Sequence, residues 1–162
     1  MIGGIPRGED HNALTLPDMA DRLAIRHLVD AYADCADRGD AAGQIALFTE
    51  DADFMVYAEP GNPLPTQRLR GRAALTAISE QPATYQATMH INGQSTLQIA
   101  GGCASGVTPC QVHCLKTDRT ARIVTITAVR YLDSYIEKGR AWLIRRRLVM
   151  VDWTESRTLT TN

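Results

Sequence analysis

Ile25, Leu28, Val29, Tyr32 and Ala36 follow one another at intervals of three and four, the spacing that lines one face of a helix with apolar side chains. Leu16-Pro17-Asp18 supplies a start for that helix, with proline early and an acid in the first turn. Arg38-Gly39 supplies its stop, because glycine takes the left-handed cap. A second, shorter helix is predicted over residues 40–48. The period then drops to two, and residues 53–58 read as a strand that ends at the turn-rich Glu59-Pro60-Gly61-Asn62-Pro63-Leu64-Pro65. Arg70-Gly71-Arg72 opens a third helix, predicted over residues 73–80 and stopped before Pro82.

Beyond that point every segment favours strands. Residues 88–99 are expected to pair with 104–115 across Gly101-Gly102, and 122–136 with 141–153 across Glu137-Lys138-Gly139-Arg140. Helices gathered at the front and a meandering antiparallel sheet behind them predict an α+β fold with the helices covering one sheet face. No repeat or linker divides the 162 residues. One domain is expected over residues 16–155, between a Gly-rich polar arm (1–15) and a short tail (156–162).

Composition narrows the function classes. Seventeen Lys and Arg oppose eighteen Asp and Glu, which offers no footprint for nucleic acid or an anionic membrane surface. No apolar run approaches the roughly 18 residues of a membrane span, and the first residues lack the apolar stretch of a signal peptide. Cytoplasmic residence is the expectation. Cys35, Cys103, Cys110 and Cys114 form no CxxC pair and lack a histidine at zinc-site spacing, so they read as core thiols in a reducing compartment. There is no phosphate-binding glycine loop, nucleophile elbow or HExxH helix. Aromatic residues are sparse at 6%. Acid–base chemistry by side chains alone, without metal or cofactor, is the default for such a chain.

Histidine is the side chain whose ordinary pKa lies nearest neutrality, so the four histidines are the first candidates for that chemistry. His90 lies in Thr88-Met89-His90-Ile91-Asn92-Gly93-Gln94, and a period of two puts it on a polar face with Thr88, Asn92 and Gln94. That face is either the wall of a site or the wet side of a strand. Asp37 closes the first helix. With Asp30 and Asp34 it reads most simply as a solvated acidic stripe, yet the helix dipole disfavours a carboxylate at a C-terminus. A buried histidine partner would relieve that and would fix the ring's tautomer. His113 is expected either beside the same cavity or satisfied in the core, while His11 and His27 read as surface residues. Tyr32 and Tyr57 read as core, with hydroxyls that could reach a pocket. In Arg145-Arg146-Arg147, strict alternation puts Arg145 and Arg147 on one face and Arg146 on the other; one of them could enter the pocket mouth and hold an anionic substrate group.

Several stretches together resemble the SnoaL-like group of the nuclear transport factor 2-like superfamily, a cone-shaped α+β barrel in which three N-terminal helices pack on a curved antiparallel sheet. They are Leu23 to Tyr32, Ala36-Asp37-Arg38-Gly39-Asp40, Phe48-Thr49-Glu50-Asp51-Ala52-Asp53-Phe54, Arg70-Gly71-Arg72-Ala73-Ala74, Thr88-Met89-His90, and Ala141-Trp142 through Asp152-Trp153. Within that group the chain is similar to the scytalone dehydratases and hexachlorocyclohexane dehydrochlorinases, which use a His-Asp dyad. The resemblance implies Asp37 and His90 as the catalytic pair, and His113, Arg147 and, with a one-residue shift, Tyr57 as substrate-binding residues; Tyr32 joins that set from its own position on the helix. It departs from the dehydratases at Ala36, where they carry tyrosine, and from the dehydrochlorinases at Tyr32, where they carry lysine. It implies a cofactor-independent lyase or isomerase acting on a small apolar molecule, cyclic compounds included, and assembly into a homodimer or homotrimer. Polyketide cyclase or ketosteroid isomerase chemistry and non-catalytic ligand binding are the alternatives the same fold allows.

Overall fold

The computed structural model describes residues 15–59, 61–79, 85–119 and 121–159. The expected arm, His11 within it, and the expected helix end at Glu80 lie outside those residues.

Helix α1 (Leu16–Arg38) begins on a capping box: Thr15 Oγ1 accepts the Asp18 N–H, and the Asp18 carboxylate accepts the Thr15 N–H. Its end is set by Gly39 at φ 66°, from where Asp40 turns back to cap α2 (Ala41–Ala46) through the Gly43 N–H. Ile25, Leu28, Val29 and Tyr32 are buried, as their spacing predicts. They pack on Phe48, Phe54, Val129, Tyr131 and Ile144 from the sheet. Trp142 adds a polar tie, donating its indole N–H to Asp21 at 3.0 Å. The third helix, α3 (Thr76–Ser79), is a single turn preceded by tight turns over residues 72–75. Among the described residues no helix is long and apolar enough to cross a membrane.

Seven strands form one sheet: β1 (Phe48–Tyr57), β2 (Gln67–Arg70), β3 (Ala87–Asn92), β4 (Thr96–Ala100), β5 (Cys103–Asp118), β6 (Ala121–Lys138) and β7 (Ala141–Leu159), ordered β2-β1-β7-β6-β5-β3 with β4 also on β5. The α+β architecture is the one expected, with two corrections. The sheet is mixed, because β1 runs parallel to β7, and its order is open rather than that of a closed barrel. No hairpin links β1 to β7, so local pattern carries no information about their relative direction. Within the stretch expected as tail, β7 continues to Leu159, which pairs with Arg122.

Two local irregularities shape the interior. The segment expected as one strand over residues 88–99 divides at Gly93–Ser95, where three residues oppose only Thr108 and Pro109 on β5. Pro109 has no N–H to give; its carbonyl accepts the Gly93 N–H instead, at 2.8 Å. On β7, Ile144 pairs with Tyr135 and Arg146 with Ser134, leaving Arg145 as the extra residue of a β-bulge. Arg145 and Arg146 are therefore both exposed, and Arg147 is wholly buried. Strict alternation, which paired Arg145 with Arg147, fails at this bulge.

Polar links hold α1 against β3, β4 and the turn between them. Asn92 donates to Asp30 at 3.0 Å, Arg26 joins Asp30 at 2.8 Å and the Gly93 carbonyl at 2.6 Å, and Arg22 reaches the Leu97 carbonyl at 3.1 Å. The acidic stripe is thus only partly solvated: Asp34 pairs with Arg38 on the surface, whereas Asp30 and Asp37 turn to the strand.

Candidate active site

Asp37, in the last turn of α1, meets His90 in the middle of β3. Its Oδ1 lies 2.6 Å from His90 Nδ1, and its Oδ2 accepts the His90 backbone N–H at 2.9 Å. One carboxylate thereby holds both the ring and the strand that carries it. The two side chains retain only 12% and 25% of their accessible surface, so the pair is sheltered without being sealed. A carboxylate at Nδ1 selects the tautomer with the proton on that nitrogen, which leaves the lone pair on Nε2. On β5, Val112 lies opposite His90 in the ladder, and Cys110 and Cys114 flank it on the same face. Burial pushes both thiols up in pKa, and the Asp37 charge adds to this, so they stay protonated. All four cysteines are free; Cys103, at the Gly101-Gly102 turn, is exposed and not the core thiol expected.

A second buried cluster lies on the same side of the sheet. Arg147 donates Nε and Nη2 to the two oxygens of Asp133, at 2.9 and 2.7 Å, and Tyr135 donates its hydroxyl to Asp133 at 2.8 Å. The guanidinium lies between the rings of Tyr32 and Tyr131, 4.1 and 4.2 Å from their centroids. Burial works against the arginine's charge, but the adjacent Asp133 carboxylate more than offsets it, and the pKa rises. Burial also raises the phenols of Tyr32, Tyr131 and Tyr135, keeping them neutral. Arg147 Nη1 is buried and has no partner among the described residues.

Of the residues singled out in the sequence, Asp37 and His90 come together, and Tyr32 and Arg147 meet in the neighbouring cluster. His113 and Tyr57 do not join them. His113 pairs with Met89, one residue out of phase with His90, so it stands on the opposite face of the sheet, 3.4 Å from Gln111. Tyr57 shares the face of Met55, whose sulfur its hydroxyl approaches at 3.9 Å, while Phe54 and Val56 turn inward. His27 is exposed, as expected. Asp133, Tyr131 and Tyr135 were not singled out. Their signal was present: a carboxylate between two tyrosines at a period of two, in a strand with an apolar inward face. No three His, Cys, Asp or Glu side chains among the described residues converge as a metal site.

The family model for the SnoaL-like domain matches residues 17–148. The chain belongs to the SnoaL-like domain family. Solved structures agree on the fold. A candidate scytalone dehydratase from Novosphingobium aromaticivorans DSM 12444 superposes with a TM-score of 0.77 at 19% identity, over 91% of this chain and 94% of that one. A type 2 hexachlorocyclohexane dehydrochlorinase gives 0.71 at 15% identity, over 90% and 93%. The beta subunit of a candidate aromatic-ring-hydroxylating dioxygenase from N. aromaticivorans DSM 12444 gives 0.72 at 20% identity, over 83% and 91%. No curated protein matches the sequence. SnoaL-like architecture thus serves proteins named for different chemistry, and the residues of the site must carry the choice among them.

Proposed function

We propose that this SnoaL-like protein is a cofactor-independent lyase or isomerase in which His90 removes a proton from carbon. The observation that carries this reading is the double grip of Asp37 on the ring and backbone of His90. The ring is oriented before substrate arrives, and Nε2 is its free base. As Nε2 takes a proton from a carbon beside an activating group, the imidazolium that forms is stabilised by Asp37 across the existing hydrogen bond. In a lyase the electron pair forms the double bond and expels the leaving group; a departing hydroxide takes the proton from the His90 imidazolium and leaves as water. In an isomerase the proton returns at a different carbon. Arg147 supplies the second role: with Nε and Nη2 committed to Asp133, its Nη1 is the donor left to meet an oxygen of the substrate. His113 and Tyr57 take no part. The substrate is a small, largely apolar molecule, in keeping with the apolar residues and neutral phenols around the cluster. Met89, Ile91, Val107 and Trp153 remain exposed, and a homodimer or homotrimer would cover part of that apolar surface.

A panel of hydroxylated ring compounds incubated with the protein in deuterated buffer, followed by mass spectrometry, tests this directly. Loss of water identifies a lyase; deuterium gained at carbon without loss of water identifies an isomerase or cyclase. If the protein binds members of the panel but catalyses neither change, and H90A and D37N bind them as well as the native chain does, the domain is a binding module and the proposal fails.

A further inference from the structure

The face of the sheet turned away from α1 carries a groove of about 420 Å³ lined by Asp51, Asp53, Arg68, Arg70, Arg145, Arg146 and Ser134. Four arginines there face two aspartates. Asp53 is spoken for: Arg68 Nε and Nη2 approach its two oxygens at 3.3 and 3.1 Å. Asp51 lies in the field of Arg145 and Lys138. Two cations are left over. Arg70, Arg145 and Arg146 form no ion pair among the described residues; the Asp51 charge acts on Arg145 through its field, which leaves Arg70 and Arg146.

Their placement is set by the ladder. Asp53 pairs with Arg70 on β2 and with Arg146 on β7, and Arg146 pairs in turn with Ser134 on β6. One row across four strands thus reads Arg70, Asp53, Arg146, Ser134. Adjacent strands lie roughly 4.8 Å apart, so the two surplus arginines start about 10 Å from each other, within mutual reach of a ligand a few atoms across. The bulge puts Arg145 and Arg146 on the same side, where a regular strand would have sent them to opposite faces. Like charges crowded on neighbouring strands repel, and a bound anion relieves that repulsion. Guanidinium groups suit it well, since each offers paired N–H donors to a phosphate or carboxylate.

We propose that this groove is a second ligand site, distinct from the Asp37–His90 pair, that takes a small dianion such as a phosphate monoester or a dicarboxylate. Two surplus cations match two negative charges, and the Ser134 hydroxyl is a neutral donor at the end of the row. The volume falls in the range of small-molecule sites. Because the groove and the dyad lie on opposite faces of the sheet, neither proposal depends on the other.

Isothermal titration of the full chain with inorganic phosphate, and separately with succinate, tests the site and distinguishes its two ligand chemistries. Saturable binding of at least one is expected, weakened tenfold or more in R70Q and in R146Q, and weakened further as salt rises. Arg70 and Arg146 are exposed, so both variants should unfold at the native temperature. Absence of binding by both anions at millimolar concentration overturns the proposal, as does binding that neither variant alters. It is also overturned if the variants change the oligomeric mass in light scattering while the native chain binds neither anion; the arginines would then answer carboxylates of a second copy.

Discussion

Alanine at position 90 is expected to lower kcat/KM by roughly 10²–10⁴-fold, the usual contribution of a general base. D37N should come close to it by a different route. The native carboxylate accepts two hydrogen bonds, one from the ring and one from the His90 backbone. An amide has a single oxygen for both. If that oxygen keeps the backbone N–H, the amide N–H points at Nδ1 and draws the ring into the other tautomer, with its proton on Nε2. The base is then blocked though the histidine is still there. The double variant should be hardly slower than the worse single one, because the pair acts as a unit. Steady-state rates on whichever compound the panel yields, beside thermal unfolding, check both statements. Native-like rates in H90A would sink the dyad mechanism.

The largest effect on stability is expected at Asp133 and Arg147. Each is wholly buried, and each neutralises the other. D133A would leave a guanidinium without its counter-charge in the core, and Tyr135 without an acceptor. Breaking such a pair from one side costs about 3–5 kcal/mol, which for a chain of this size lowers the melting temperature by roughly 10 °C or more. R147M would strand the carboxylate in the same way. Replacing both partners with apolar residues of similar volume, D133L with R147M, should recover much of the loss, because the burial of two ions is removed along with their attraction. Urea unfolding of the three variants gives the comparison. If the double variant is as unstable as the sum of the singles, the cluster's stability resides in shape and not in charge. Its activity is a separate reading: a stable double variant that has lost turnover would place Arg147 Nη1 on the substrate.

Helix α1 was readable residue by residue, since its cap, its apolar face and its glycine stop are all local signals. The hairpins were readable for the same reason: Gly101, Gly102 and Gly139 take the positive φ that tight turns require. What sequence could not supply was direction and phase. The parallel join of β1 to β7 spans most of the chain, and β2 is four residues that follow a proline-rich turn. At the site, Asp37, His90, His113 and Tyr57 were each raised by their own positions and again by the resemblance; the structure brings Asp37 and His90 together and puts His113 and Tyr57 on the other side of the sheet. Face is decided by single-residue register. His113 is one step from Val112, which opposes His90, and that step is the whole difference.

The extra residue in β7 bears on how this chain should be matched to others. Two residues separate the inward side chains of Ile144 and Arg147, where a regular strand has one. A relative one residue shorter at this point would present the same interior, and one of equal length with a regular strand would turn its counterpart of Arg146 inward instead. Alignments of such chains therefore need room for a single gap between Ile144 and Arg147. Without it, an arginine in the core and an arginine in the outer groove can be written in the same column.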